Sequence, residues 1–214
     1  MTKEKRLKIK AVEVAERLKG HYSSECALEY QGEPWKLLVL ARLSAQCTDK
    51  RVNIVAVPLF ESFPTLEKMA DCNIKELEEI VKPCGLYRMK AKEIKASCRM
   101  LIEDFGGIVP DNMEDLLLLP GVGRKIANLI IGDIYGKPAV VADTHCIRIS
   151  GRLGFTDLDE KSPVKVEAAL KKYLPEEEQS DFCHRIVQFG REVCSARSPK
   201  CGECFLADIC DNKK

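Results

Sequence analysis

The chain has 214 residues, 45% of them hydrophobic and 31% charged, with a formal net charge of +1. That length suits one large domain or two small ones, and the composition is that of a globular protein. No apolar run reaches the roughly 18 residues of a membrane span, which excludes a membrane partner. Met1–Arg6 leads into an amphipathic stretch rather than a signal-peptide core, so the expectation is a cytoplasmic protein. Charge this near neutrality does not mark a nucleic-acid binder. Any grip on nucleic acid must come from local patches, such as Arg88–Arg99 or Arg185–Lys200, and from backbone N–H groups.

Nearly every segment reads as helix. Residues 5–19 carry Ile9, Val12, Ala15 and Leu18 at helical spacing, with Gly20 as a stop. Residues 21–33 are irregular, and Pro34 opens a second helix that runs into Leu43-Ser44-Ala45-Gln46-Cys47-Thr48-Asp49. Thr48 or Asp49 can cap a third, reaching about Phe60. Thr65 can cap a short helix, and Asn73 with Glu76 makes a capping-box-like start for another that stops at Pro83 and Gly85. Residues 87–105 predict a long helix with Ile94, Cys98, Leu101, Ile102 and Phe105 on one face, ended by Gly106-Gly107.

Asp111 or Asn112 caps the next helix. It leads into Leu119-Pro120-Gly121-Val122-Gly123-Arg124-Lys125, a tight turn before a helix running to about Tyr135. Gly121 and Gly123 can take positive φ, and their missing side chains let a bulky partner approach the backbone. The helix beyond offers N–H groups and the positive end of a dipole, which suit a phosphate. The pattern is a helix–hairpin–helix that presents Lys125. Taken alone, Lys125 reads as an exposed phosphate-binding lysine. An apolar extended stretch, Lys137–Asp143, follows, and Asp143 can cap a helix over Thr144–Leu153. Ser162-Pro163 starts another, and a last one covers about Glu177–Phe189. No alternating run supports a sheet, so the fold class is all-α.

The sequence holds 11 cysteines, an odd number that argues against a disulfide framework. Seven are scattered. Cys194, Cys201, Cys204 and Cys210 instead lie within 17 residues in the spacing C-x6-C-x2-C-x5-C. Four thiolates fit a [4Fe–4S] cluster or a structural zinc. A zinc ribbon pairs two well-separated C-x2-C knuckles, and only one is present, which tilts the reading towards iron–sulfur. A saturated set of four ligands leaves no open position, so such a centre orders the tail and rigidifies a loop holding Arg197 and Lys200.

With these elements in hand, the sequence resembles the endonuclease III family, helix–hairpin–helix glycosylases of DNA base-excision repair, from about Pro34 to Cys210. Leu119–Lys125 resembles the family's hairpin with its catalytic lysine. Val141-Ala142-Asp143-Thr144-His145 resembles the segment with its catalytic aspartate, 18 residues beyond Lys125. The cysteine spacing is similar to that of the family's [4Fe–4S] loop. Leu43-Ser44-Ala45-Gln46 and Gly85-Leu86-Tyr87 look like the two segments that fill the gap left by an extruded nucleotide.

The resemblance implies two helical domains, a six-helix domain over residues 24–135 and a cluster domain joining 1–23 to 136–214, with a DNA-binding cleft between them. It implies Lys125 and Asp143 as catalytic residues, and Gln46, Leu86, Gly121, Val122, Gly123 and Arg124 as DNA-binding residues. Cys194, Cys201, Cys204 and Cys210 would hold the cluster. The implied activity is a bifunctional glycosylase and AP lyase that removes oxidised pyrimidines from duplex DNA. It would act as a monomer, nucleoid-associated if the source is prokaryotic. The alternatives are a pyrimidine-dimer or mismatch-specific glycosylase of the same superfamily, and a non-catalytic DNA-binding iron–sulfur protein. Leu86 could otherwise be ordinary core, Gln46 a solvated helix end, and Asp143 only a cap. His145 and His184 are assigned no catalytic role.

Overall fold

A computed structural model describes residues 1–212, and no strand occurs among the described residues. The chain folds into two compact units, Cys26–Tyr135 and Met1–Glu25 with Gly136–Lys214. The first contains α2 (Pro34–Leu43), α3 (Asp49–Ser62), α4 (Leu66–Asp71), α5 (Ile74–Val81), α6 (Tyr87–Phe105), α7 (Met113–Leu118) and α8 (Arg124–Asp133). The second contains α1 (Lys3–Lys19), α9 (Thr144–Arg152), α10 (Pro163–Tyr173) and α11 (Gln179–Glu192).

Capping chemistry sets most of the helix starts. Thr2, Thr48, Thr65, Asn73, Asn112, Asp143 and Ser162 each accept a first-turn N–H through a side-chain oxygen, at 2.7–3.4 Å. Where the sequence offers two candidates, Thr48 and Asn112 do the capping.

In the first unit α2 is the centre. Every residue from Trp35 to Leu43 is buried, because the helix is packed against α3, α6 and α8. Burial on all sides favours an unbroken apolar run, and Leu37, Leu38, Val39, Leu40 and Leu43 supply it. α6 in turn packs on α4 and α5 through Ile94, Cys98 and Leu101.

In the second unit α9 and α1 pack on α11, and the core is built from Leu7, Val14, Leu18, Ile149, Phe182, Ile186 and Phe189. α11 runs three residues past the Phe189 expected from sequence. Gly190 does not stop it, because this glycine is where α9 comes close: a Cβ there would lie 2.5 Å from His145 Nδ1. Conversely, α8 ends at Asp133 rather than Tyr135, and Gly136 at φ +59° turns the chain away.

Candidate functional site

The hairpin turn hangs from the core of the first unit. Leu119 and Val122 are buried, and the Val122 N–H donates to the Leu119 carbonyl at 3.0 Å, closing the turn. Gly121 sits at φ +77°, where an L side chain is strained, and a Cβ there would come within 2.7 Å of Arg42 Nε and Glu93 Oε2. Those two groups form a hydrogen-bonded ion pair at 2.5 Å between α2 and α6, with Arg42 buried. The pair is therefore the floor on which the turn rests.

Gly123 departs from expectation. Its φ of −103° is open to any residue, and a Cβ there would meet nothing within 4 Å. No side chain caps α8, and Arg124 and Lys125 are exposed on its first turn. The helix N-terminus thus presents its dipole and a lysine outward on a rigid support.

Gln46 and Leu86 share an unusual feature. Their φ values are +56° and +48°, left-handed conformations that cost a non-glycine residue on the order of 1–3 kcal/mol. Both are exposed, Leu86 to 50%, which removes the core alternative for it. Below them lies a residue that sequence reasoning missed. Lys90 of α6 is 0% exposed, and its Nζ donates to the Leu43 carbonyl at 2.9 Å and to the Cys84 carbonyl at 2.8 Å. Burial pulls its pKa below the ordinary lysine value, partly opposed by the nearby Cys84 and Cys47 thiols. The signal was present: Lys90, Ile94, Cys98 and Leu101 follow one helical stripe, with a lysine at its head.

The basic stretches also change meaning. Lys90 is buried, Lys95 donates to the Cys72 carbonyl at 2.5 Å, and Arg185 is buried between Glu178 and Asp181 at 2.9 and 2.7 Å. These cations hold the fold together, so the stretches provide fewer outward charges than their composition suggests.

Asp143 belongs to the second unit and is half-buried. Its Oδ1 accepts the Cys146 N–H at 2.7 Å, capping α9, and this leaves Oδ2 outside the cap. Its role as an N-cap is thus real, and it engages only one of the two oxygens.

Cys194, Cys201, Cys204 and Cys210 line one small cavity, together with Ile149, Leu153, Phe189, Val193 and Leu206. Yet among the described residues no three His, Cys, Asp or Glu side chains converge closely enough to hold a single metal ion. Four cysteine sulfurs around a common cavity are a donor set that fits a [4Fe–4S] cluster. The thiol pKa values of Cys204 and Cys210 are pushed up, first by burial and then by the neighbouring cysteines.

Arginines hold the loop from outside. Arg152 donates to the Cys194 Sγ at 3.2 Å, to the Ser195 carbonyl at 2.7 Å and to the Ala196 carbonyl at 2.8 Å. Arg148 donates to the Cys194 carbonyl at 3.0 Å, and Arg17 to the Phe205 carbonyl at 2.8 Å. Such outer partners fix ligand orientation and the electrostatics of a metal centre.

Comparison with known proteins now bears on this geometry. Residues 39–176 match the HhH-GPD superfamily of base excision DNA repair proteins, and residues 194–210 match the iron–sulfur binding domain of endonuclease III. The chain belongs to the endonuclease III family. It is 44% identical to endonuclease III of Synechocystis sp., over 95% of this chain and 92% of that one. It is 35% identical to the Escherichia coli K12 protein, over 97% of each. A solved structure of a trapped covalent endonuclease III–DNA intermediate superposes with a TM-score of 0.89 at 39% identity, covering 100% of this chain and 98% of that one. A thermostable thymine-DNA glycosylase shares the fold at TM-score 0.86 and 22% identity. The chain is a base-excision enzyme, a DNA glycosylase and AP lyase, and its cofactor is a [4Fe–4S] cluster. Among the described residues no helix is long and apolar enough to cross a membrane.

Proposed function

We propose that Lys125 is the nucleophile that removes an oxidised pyrimidine from duplex DNA, with Asp143 as its carboxylate partner. The observation that carries this reading is the exposed Lys125 on the uncapped first turn of α8, directly after a turn braced by Arg42 and Glu93. The N–H groups there, with Gly121, Val122, Gly123 and Arg124, grip a phosphate of the backbone. At Gly123 no side chain screens the backbone, and nothing in the protein lies within 4 Å of where a Cβ would stand, which leaves room for a strand to approach.

A base inside a duplex is out of reach of any side chain, so the damaged nucleotide is extruded. Leu86 wedges into the stack, and Gln46 faces the orphaned base. The neutral Lys125 amine attacks the sugar C1′, the glycosidic bond breaks, and the base leaves with the bonding electrons. The resulting adduct opens to a Schiff base. Loss of a C2′ proton then expels the 3′ phosphate by β-elimination, and water releases the enzyme. Oδ2 of Asp143, outside the cap, stabilises positive charge developing on the sugar or helps deprotonate the amine. Bringing up DNA also desolvates Lys125, which is exposed in the free protein. The [4Fe–4S] cluster, held by Cys194, Cys201, Cys204 and Cys210, supplies structural order rather than a step. We also assign residues 24–135 and residues 1–23 with 136–214 as the two functional domains of a monomer acting on chromosomal DNA in the cytoplasm.

Borohydride trapping tests the nucleophile. The protein should cross-link to abasic DNA, and Lys125→Gln should abolish the adduct; an adduct that persists in this variant would overturn the assignment. A panel of duplexes carrying thymine glycol, pyrimidine dimers or mismatches fixes the lesion class.

A further inference from the structure

We propose that Lys90 is a positioning residue that couples the Gln46 segment to the Leu86 segment, so that both enter the duplex as one preset wedge. The inference rests on the reading of Gln46 and Leu86 as gap-filling residues, and it adds what holds them there.

Leu43 ends α2, and its carbonyl lies three residues before Gln46. Cys84 ends a short turn, and its carbonyl lies two residues before Leu86. The two segments are 40 residues apart in sequence (86 − 46), yet a single buried ammonium donates to both carbonyls, at 2.9 and 2.8 Å. A buried cation is costly unless it is hydrogen-bonded, so breaking either of these two bonds is unfavourable and the pair constrains the geometry.

Gln46 and Leu86, three and two residues beyond these carbonyls, adopt strained left-handed conformations at φ +56° and +48°; Gln31, at φ +58°, is the one other non-glycine residue at positive φ among the described residues. Strain of this kind persists only where the surroundings over-determine the backbone, and it collects where a geometry must exist before the partner arrives. Lys90 is the shared determinant. It also lies one turn before Glu93, which with Arg42 supports Gly121 of the hairpin. The first turns of α6 thus carry the supports of all three elements.

The experiment compares Lys90→Met, close in length but unable to donate, with Lys90→Gln, which keeps one donor group. Two readouts separate positioning from chemistry. The first is emission from 2-aminopurine placed opposite a tetrahydrofuran abasic-site analogue in duplex DNA, which reports unstacking around the orphaned base. The second is borohydride trapping on single-stranded abasic DNA, which needs Lys125 but no wedge. The expected result is a graded loss of the duplex signal from wild type through Lys90→Gln to Lys90→Met. Duplex glycosylase turnover should fall about tenfold to a hundredfold, as displacements of about 1 Å at a reacting site commonly cause. Single-strand trapping should be unchanged.

Parallel losses on single and double strands, or full duplex signal in both variants, would overturn the proposal. If Lys90→Met melts below assay temperature, the Lys90→Gln comparison decides alone on the same criteria. Gln46→Ala and Leu86→Ala test the reading beneath it. If they leave the 2-aminopurine signal intact, the gap-filling assignment is wrong; if they abolish it while the Lys90 variants do not, only the role of Lys90 is wrong.

Discussion

The cysteine loop and the hairpin turn are both short, rigid and glycine-containing, but they are made rigid in opposite ways. The hairpin draws its shape from the protein core: Leu119 and Val122 are buried, and Gly121 is seated on an ion pair between two helices. The cysteine loop has almost no core of its own. Leu206 is its one buried apolar side chain between Cys194 and Cys210. Its order comes from the ligands' cavity, from arginines that hold its carbonyls, and from Phe205, which stacks on His21 at 4.0 Å. The first kind of order is bought by folding, while the second depends on a cofactor. Damage to either should therefore be read out differently.

The largest separation is expected at the cysteines. Cys204→Ala removes one of the four proposed ligands and should abolish the brown iron–sulfur absorbance. It should also open residues 194–210 to protease and lower Tm by about 5–10 °C, the shift that a loss of about 2–3 kcal/mol produces in a chain of this size. Visible spectroscopy and limited proteolysis check this. A variant that keeps full colour and protease resistance would show that the loop, like the hairpin, is ordered by packing alone.

The hairpin should respond to its two glycines unequally. Gly121→Ala forces a side chain into left-handed backbone and against Arg42 and Glu93, a loss of about 1–3 kcal/mol. Gly123→Ala meets nothing in the protein and should stay within about 0.5 kcal/mol of wild type. It should nevertheless weaken binding to an abasic-analogue duplex at fixed salt, because the added methyl occupies the space of the approaching strand. Thermal melts and binding titrations separate the two. Equal losses of stability would mean that both glycines serve the fold.

These contrasts also show what the sequence could carry. The helix starts were legible because capping is local: Thr65, Asn73 and Ser162 act on N–H groups two or three residues away. The cysteine spacing was legible because ligands to one centre must lie within reach of a short loop. The left-handed backbone at Gln46 and Leu86 was not, since neither residue type favours it and its determinant, Lys90, sits in another element. Arg185 was misjudged for a different reason, since its partners are local and a reading by composition passed over them. Its charge looked outward in the sequence, while Glu178, just before α11, and Asp181, one turn before it on α11, pair with it. Local chemistry is written in neighbours; long-range chemistry shows only as an anomaly in a pattern, such as a lysine heading an apolar stripe.

The smallest expected effect is a pH dependence confined to the cofactor side. Burial, with the positive charges of Arg148 and Arg191, holds the His145 pKa below its ordinary 6.5, and Asp143 only partly offsets this. His145 Nδ1 lies 3.1 Å from an Arg148 nitrogen, so it accepts from the guanidinium while neutral, and a proton there would face that cation. The folded state therefore takes up this proton at lower pH than the unfolded chain does. The resulting stability is complete above about pH 6.5 and is lost as pH falls through the lowered folded value. Because Arg148 also donates to the Cys194 carbonyl, acid should loosen the cysteine loop before it affects the hairpin. Bleaching of the cluster absorbance should accelerate below pH 6.5 in wild type, and His145→Gln should flatten that acid limb while leaving single-strand trapping by Lys125 unchanged at neutral pH. Identical bleaching profiles in the two proteins would place the acid sensitivity in the cysteine ligands themselves.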